Sequence, residues 1–318
     1  MLISLLQSIS MNFTDQDGTN HSPAIFGEVL FDCFPDNLQV LGGAPFNVAW
    51  HLQGLGKPPL FISRIGSDPL GDEILRKASE WHMNTEGIQI DDSLPTGQVL
   101  IEFHGNTHSF DILNEQAYDH IQQEPVLNLL QDIKPEILYF GSLIMRNPQS
   151  RATLDATLAQ INCPCFVDIN LREPWWNENI LDHAMLAAHW LKLNEQELAL
   201  ITGKSCEDPD SIYDNARGIM EKYNIHMVIV TRGNLGAMLV IAGEAIHAEA
   251  AEIRQLKDTV GAGDAFSAVC IYGLSRNWPY EQILKRASAF AASICEIQGA
   301  TTNDRHFYAR HLSDWQQE

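Results

Sequence analysis

The chain has 318 residues, of which 45% are hydrophobic and 19% charged, a composition typical of a globular protein with a large core. Its formal net charge of −21 excludes a general binder of nucleic acids or anionic membranes, because both attract surfaces rich in Lys and Arg. No run of about 18 apolar residues is present, so we expect no membrane-spanning helix. We therefore expect neither a nucleic-acid partner nor a membrane partner.

The first residues lack the pattern of a secretion signal. No Lys or Arg precedes the short apolar start, and polar residues follow it, so we expect residues 1–24 to form a flexible N-terminal extension. The cysteines are scattered, and the spacing of Cys163 and Cys165 fits neither a redox pair nor a zinc site. These features predict reduced thiols and a cytoplasmic protein.

From Ile25 onward, strand-like and helix-like patterns alternate, and several strand patterns are apolar on both faces. We predict strands over Ile25–Cys33, Leu60–Ile65, Ile137–Gly141, Cys165–Asn170, Trp190–Asn194 and Met227–Thr231. We predict helices from Pro45 to about Gly54–Gly56 and over Pro69–Trp81, Pro148–Ile161, Pro209–Tyr223 and Tyr280–Gln298. This order predicts an α/β fold, with a doubly wound, mostly parallel sheet covered by helices on both faces.

Two segments interrupt the alternation. Residues 34–41 continue the first strand without a helix, and residues 96–112 read as a hairpin of Val99–Phe103 and Ser109–Ile112 around a Gly105-Asn106 turn. We assign these segments, about residues 33–42 and 96–113, to a small β lid. The rest of residues 25–318 is predicted to be one main domain.

A glycine-rich run, Asp258-Thr-Val-Gly-Ala-Gly-Asp-Ala-Phe266, precedes an apolar helical stretch. Such a turn presents backbone N–H groups and the positive end of a helix dipole, which suits a phosphate. An acidic residue inside an anion site makes sense if Asp264 takes a proton from a hydroxyl that attacks a bound phosphoryl group. The spacing alone equally fits a helix cap at Asp264 and a plain glycine turn.

This run resembles the C-terminal signature of the ribokinase-like (PfkB-type) sugar kinases, and the similarity extends over Ile25 to Thr302. The other matching segments, in family order, are Gly27–Asp32, Gly42–Asn47, Arg64–Asp72, Asp168–Arg172, Asn194–Glu197 and Thr231–Gly233. The combined pattern is most similar to fructokinases. The resemblance implies a ribokinase-like fold and ATP-dependent phosphorylation of a sugar hydroxyl, with Mg²⁺ as cofactor.

The resemblance also implies a role for each matched residue. Asp264 would be the general base, and the anion hole would be formed by Gly261, Ala262 and Gly263. The sugar would be bound by Asp32, Gly42, Gly43, Asn47, Phe103, Arg172 and Asp264. The nucleotide would be bound by Lys192, Asn194, Thr231, Gly233, Gly236, Gly261 and Gly263.

Cation sites follow from the same resemblance. Asn194 and Glu197 are similar to the family's N-x-x-E motif, which positions Mg²⁺ largely through water. Taken alone, the same two residues fit a helix capping box. Asp258 is similar to a residue that helps to hold a monovalent cation in some members, which leaves K⁺ dependence open. Arg172 fits a substrate contact and a structural ion pair equally well.

Fructose, phosphorylated to fructose 6-phosphate, is the favoured substrate. The lid stretch Ser109–Ala117 carries no Lys or Arg, which argues against a sugar acid, although Arg172 weakens that inference. The alternatives are a kinase for 2-keto-3-deoxygluconate, one for a nucleoside or riboside, and a catalytically idle sugar-binding regulatory protein. The exposed edge and apolar face expected of the lid also predict a homodimer formed through it.

Overall fold

The computed structural model describes residues 22–104 and 107–317. Within these ranges the strands are β1 (Ala24–Phe26), β2 (Leu30–Cys33), β3 (Gln39–Gly42), β4 (Leu60–Gly66), β5 (Ile88–Asp91), β6 (Gly97–His104), β7 (Thr107–Ile112), β8 (Leu138–Gly141), β9 (Cys165–Asp168), β10 (Trp190–Asn194), β11 (Met227–Thr231), β12 (Ala237–Ile241) and β13 (Glu244–Ala248). The α-helices are α1 (Ala44–Gly54), α2 (Pro69–Glu80), α3 (Gln123–Asp132), α4 (Pro148–Gln160), α5 (Glu178–Ala187), α6 (Glu195–Thr202), α7 (Pro209–Tyr223), α8 (Ala262–Leu274), α9 (Tyr280–Cys295) and α10 (Arg305–Gln317).

The main sheet has nine strands in the order β13-β12-β11-β10-β9-β8-β1-β4-β5. The strands from β11 to β5 run parallel, whereas β12 and β13 form an antiparallel edge. Because the helices connect parallel strands, the carboxyl ends of the central strands meet at one edge of the sheet.

Successive residues of each central strand pack into two separate cores, as the two-residue period of a strand requires. In β1, Ile25 belongs to one core, whereas Ala24 and Phe26 belong to the other. The first core contains side chains of α1, α2, α8 and α9, and the second contains side chains of α3, α4, α5, α6 and α7. The predicted doubly wound sheet with helices on both faces is confirmed.

A second sheet of four strands, in the order β3-β2-β6-β7, corresponds to the predicted lid. Strand β2 pairs antiparallel with β3 and parallel with β6, and β6 pairs antiparallel with β7. The face of the lid sheet that contacts the main domain is apolar. On this face Leu30, Val99 and Ile112 pack against Leu143 and Trp175 of the main domain.

The single strand predicted over Ile25–Cys33 is wrong, because the chain changes sheets within it. Strand β1 ends at Phe26, and β2 begins at Leu30. The chain leaves the main sheet at Gly27, which lies so close to the start of α1 that a Cβ there would be 2.3 Å from Pro45 Cγ. Residues 34–41 then fold back through a turn, in which Asn37 has a φ of 63°, rather than continuing the strand.

Two other expectations concern residues that lie wholly or mostly outside the described ranges: the Gly105-Asn106 turn and the flexible extension over residues 1–24. Of that extension the structure describes residues 22–24, and Ala24 is the buried first residue of β1. Among the described helices, none combines the length and the apolar character needed to cross a membrane.

Candidate active site

Three predicted site segments meet where the central parallel strands end. Asp168, Asn194 and Thr231 are the last residues of β9, β10 and β11. The register places Asp168 beside Lys192 and Asn194 beside Thr231. This edge is where doubly wound sheets bind ligands.

The glycine-rich turn enters α8 with the geometry of an anion site. Gly261 has a φ of 77°, and a Cβ there would lie 2.6 Å from Ala300 Cα, so both backbone conformation and space require glycine. Ala262 begins the helix and Gly263 follows it on an exposed turn. The first N–H groups of a helix have no intrahelical partner and carry its positive dipole end. The turn is therefore suited to an anionic group.

Asp264 lies in the first turn of α8 and contacts a residue from the opposite end of the chain. Asn47 Nδ2 on α1 donates to Asp264 Oδ2 at 2.8 Å. Burial raises the pKa of Asp264 to about 6, although the Asn47 bond and the charges of Lys192 and Arg172 oppose the rise. The group is thus ionised at neutral pH and more basic than an ordinary aspartate, which suits proton abstraction.

A buried ion pair lies behind the glycine turn. Lys192 Nζ donates to Asp168 Oδ2 at 2.8 Å, and Ser267 Oγ of α8 donates to the same oxygen at 2.8 Å. Burial alone would lower the pKa of Lys192, but the Asp168 carboxylate raises it, so the ammonium stays charged. A Cβ on Gly263 would lie 3.2 Å from Lys192 Nζ. The positive charge of Lys192 is therefore close to the turn.

On the lid side, Asp32 of β2 faces the glycines that precede α1. A Cβ on Gly42 would lie 3.6 Å from Asp32 Oδ2. Gly43 has a φ of 102°, and a Cβ there would lie 2.8 Å from Glu28 O, so the strained conformation and the close backbone approach both require glycine. Burial raises the pKa of Asp32, and the nearby Arg172 opposes this rise.

Arg172 lies exposed in the loop after β9. Its charge acts on the carboxyl groups of Asp32, Glu28 and Asp264. In the part of the chain that the structure describes, no carboxylate forms an ion pair with Arg172.

The N-x-x-E segment forms the capping box that its sequence also allows. Asn194 Oδ1 accepts from Glu197 N, and Glu197 Oε2 accepts from Asn194 N, both at 2.8 Å. Glu197 Oε1 accepts from Leu171 N at 2.8 Å. Each carboxylate oxygen thus has one backbone bond and one lone pair left, which can accept a hydrogen bond from a metal-bound water or bind a cation. No group of three or more His, Cys, Asp or Glu suited to a metal ion occurs within residues 22–104 and 107–317.

Three further predicted residues, Gly233, Gly236 and Asp258, follow the ends of the main-sheet strands or precede the glycine turn. Gly233 and Gly236 follow Thr231 with φ values of 54° and 87°. Asp258 accepts from Val260 N at 3.0 Å and from Gly299 N at 3.1 Å, so its carboxylate braces the segment before the glycine turn. Phe103 belongs to β6, but its side chain lies outside the described part of the chain.

Comparison with known proteins identifies the family. The sequence pattern of the pfkB family carbohydrate kinases matches residues 34–306. The chain belongs to this family. It is 28% identical to the fructokinase of Klebsiella pneumoniae over 269 residues, which cover 79% of this chain and 83% of that relative.

Solved structures agree with this membership. The fructokinase of Vibrio cholerae, in a form with fructose, ADP and calcium ion bound, superposes with a TM-score of 0.73 at 26% identity and covers 92% of this chain and 99% of its own. The 2-dehydro-3-deoxygluconokinase of Thermotoga maritima shares the fold, with a TM-score of 0.77 at 19% identity over 92% of this chain and 99% of its own. The predicted family and fold are confirmed, whereas the roles of single residues in this carbohydrate kinase stay predictions.

Sequence reasoning missed two buried acidic residues of the kinase. Asp168 lies in a matched family segment, but no role was predicted for it. In the structure its carboxylate forms the ion pair with Lys192. Glu28 is 4% exposed and its Oε2 has no hydrogen-bond partner among the described residues. Burial raises the pKa of Glu28 to about 7, and the charges of Arg172, Asp264 and Arg146 act on it. The available signal was an acidic residue at the end of an apolar strand pattern.

The raised pKa of Asp264 predicts a pH-dependent effect of Asp264→Asn on stability. A carboxyl whose folded pKa is raised contributes stability at low pH, and this contribution is lost as the pH rises through about 6. We therefore expect Asp264→Asn to raise Tm at about pH 8 and to leave it nearly unchanged only below the ordinary pKa of 3.8, where the carboxyl is protonated in both the folded and the unfolded protein. Thermal unfolding across this range tests it, with Asp72→Asn, an exposed acid on α2, as control. A Tm difference that is the same at every pH contradicts the prediction.

Proposed function

We propose that this carbohydrate kinase transfers the terminal phosphoryl group of ATP to fructose, giving fructose 6-phosphate, with Asp264 as general base. The observation that carries the proposal is the placement of a basic carboxylate, bonded to Asn47, in the first turn of α8. That position brings a proton acceptor beside a turn built for an anion. The ADP and fructose in the Vibrio cholerae structure, at 26% identity, support the choice of nucleotide and sugar.

The reaction follows from these positions. Asp264 accepts the proton of the sugar hydroxyl while that oxygen forms a bond to the terminal phosphorus, and the bond between phosphorus and the bridging oxygen of ADP breaks. The N–H groups of the Gly261–Gly263 turn stabilise the charge on the transferred group. The buried ammonium of Lys192 adds a fixed positive charge behind that turn.

The sugar would lie between the lid and α1. Asp32 and Asn47 would hydrogen-bond its hydroxyls, and Asn47 Oδ1 is a buried acceptor without a partner among the described residues. Gly42 and Gly43 would let the backbone approach the sugar, with Phe103 above it and Arg172 beside it. The terminal part of the nucleotide would lie along Lys192, Asn194, Thr231, Gly233 and Gly236.

A neutral sugar fits the charges of this pocket. Asp32, Glu28 and Asp264 contribute carboxyl groups, whereas the exposed cation that acts on all three is Arg172. A substrate carboxylate would be repelled by this set. The second candidate, 2-keto-3-deoxygluconate, is favoured by one observation: the described residues give Arg172 no ion pair, so its guanidinium is available for a carboxylate.

Cations complete the proposal. Asn194 and Glu197 would hold Mg²⁺ through water, and the ion would neutralise charge on the ATP phosphates. Asp258 would help to hold a monovalent cation such as K⁺, because its carboxylate fixes the backbone before the glycine turn.

A substrate panel tests the proposed function. With ATP and Mg²⁺, we expect turnover with fructose and a fall in kcat of about 100-fold or more in Asp264→Asn, because the proton acceptor is lost. Fructose binding, measured by calorimetry, should survive in the variant, and Asp72→Asn serves as the surface control. Turnover only with 2-keto-3-deoxygluconate or a riboside overturns the choice of fructose. Sugar binding with no turnover on any substrate supports the regulatory alternative instead.

The lid predicts the oligomeric state. Leu38, Leu100 and Phe110 of the lid segment are 52%, 37% and 56% exposed, and such apolar side chains favour association with a second lid. We expect light scattering to give the mass of a homodimer and Phe110→Asp to shift it to the monomer. Leu186→Asp, on the exposed side of α5, is the matched control and should stay dimeric. A monomeric wild-type protein contradicts the prediction.

A further inference from the structure

Helix α1 contacts the region of the glycine turn twice, with residues one helical turn apart. Asn47 donates to Asp264 inside α8. Four residues later, His51 lies 3.1 Å through Nε2 from the carbonyl oxygen of Ala300, whose own atoms limit the space at Gly261. Residues i and i+4 lie on the same face of a helix, so both contacts come from one face of α1. The second contact has no role in the proposed chemistry so far.

His51 is fully buried and its ring makes two polar contacts. Nδ1 lies 3.0 Å from the hydroxyl oxygen of Tyr308, on α10, opposite to the Ala300 contact at Nε2. Burial lowers the pKa of His51 to about 4, so the imidazole is neutral and carries one hydrogen. The two contacts therefore determine which nitrogen carries it.

The surroundings select the tautomer with hydrogen on Nε2. A carbonyl oxygen can only accept, so Nε2 must donate to Ala300 and Nδ1 must accept from the hydroxyl of Tyr308. The other tautomer would bring two lone pairs together at 3.1 Å. The Tyr308 hydroxyl can also donate to Thr302 O at 3.2 Å, a carbonyl that has a second donor in Trp50 Nε1 at 2.8 Å. Among the described residues Nδ1 of His51 has no donor other than Tyr308, so the hydroxyl hydrogen is placed on the shorter contact to His51.

Ala300 connects His51 to the glycine turn. A Cβ on Gly261 would lie 2.4 Å from Ala300 Cβ and 2.9 Å from Ala300 O, so the two backbones are in direct contact. The other side of the same segment is held by Asp258, which accepts from Gly299 N at 3.1 Å. A shift of Ala300 would therefore move Gly261, and with it the N–H groups that are aimed at the phosphoryl group.

We propose that His51 is a positioning residue for the glycine turn, which it holds through its Nε2–H bond to Ala300, and that Tyr308 fixes the tautomer that makes this bond. The effect on catalysis rests on the proposed function, because it requires the turn to bind the transferred phosphoryl group. The effect on the geometry of the turn does not depend on the proposed function.

Two amide substitutions separate this role from a general packing role. The amide nitrogen of Gln reaches the position of His Nε2, whereas that of Asn reaches only the position of Nδ1. His51→Gln therefore keeps a donor for Ala300, and His51→Asn removes it. We expect kcat to fall about 10-fold or more in His51→Asn and to stay within about threefold of wild type in His51→Gln, since a small misplacement of catalytic groups can cost up to about 100-fold. The Kd for fructose should stay within about twofold in both, because Asn47 and Asp32 are unchanged.

Tyr308→Phe removes only the hydroxyl and should lower kcat to a value between those of the two His51 variants. Amide hydrogen exchange of the peptides over 258–264 and 299–302 gives a readout that needs no turnover. We expect faster exchange there in His51→Asn than in His51→Gln, with equal exchange in α4 as the internal reference.

Equal kcat and equal exchange in the two His51 variants would overturn the proposal. So would a loss of kcat that matches a parallel loss of fructose affinity or of folded protein. If wild type turns over no sugar, the proposed function fails, and the exchange comparison still decides whether His51 holds the turn.

Discussion

The hydrogen bond between Asn47 and Asp264 is the constraint on which the site depends. It joins side chains 217 positions apart and connects the N-terminal residues of two buried helices, α1 and α8. Asn47 lies in the first turn of the helix that follows the glycines facing Asp32 of the lid, and Asp264 lies in the turn suited to an anion. The bond therefore links the residues proposed to bind the sugar to the turn proposed to bind the phosphoryl group.

The electrostatic surroundings of Asp264 meet two opposing requirements. A base must be ionised to accept a proton, yet its affinity for the proton must be high enough for transfer to proceed. Burial raises the pKa of Asp264 to about 6, and the Asn47 bond together with Lys192 limits the rise. Asp168, whose Oδ2 also accepts from Ser267, holds Lys192 in a buried position without removing its charge. The ion pair thus affects both the base and the anion site.

Much of the fold could be predicted because its signals are local. The strand patterns of β8, β10 and β11 are apolar on both faces, and the helices that begin at Pro69, Pro148 and Pro209 carry clear first-turn signals. The edge strands β5 and β13 were not predicted, since their formation depends on neighbours distant in sequence, and neither was the C-terminal helix α10. The break at Gly27 was missed for the same reason: Pro45, which requires it, lies in another element.

The candidate site likewise contains a part that could be predicted from the sequence and a part that could not. Asp264 and its glycines form one continuous motif, so their arrangement follows from the backbone of a single turn and was predictable. Glu28 lies in the matched segment Gly27–Asp32 and His51 lies in none, and the surroundings of both come from several elements brought together by folding. Family resemblance supplied residues such as Asp32 and Asn47, whereas the bond from Asn47 to Asp264 became visible only in three dimensions.

The pKa of Asp264 in the wild-type protein and in Asn47→Ala tests the account most directly. Carbon-13 NMR titration of the side-chain carboxyl, assigned by its absence in Asp264→Asn, would provide both values. The account predicts a pKa of about 6 in the wild type and a higher value in Asn47→Ala, because the lost N–H donor stabilised the charged form. A wild-type pKa near the ordinary value of 3.8, or the same pKa in both proteins, would contradict it.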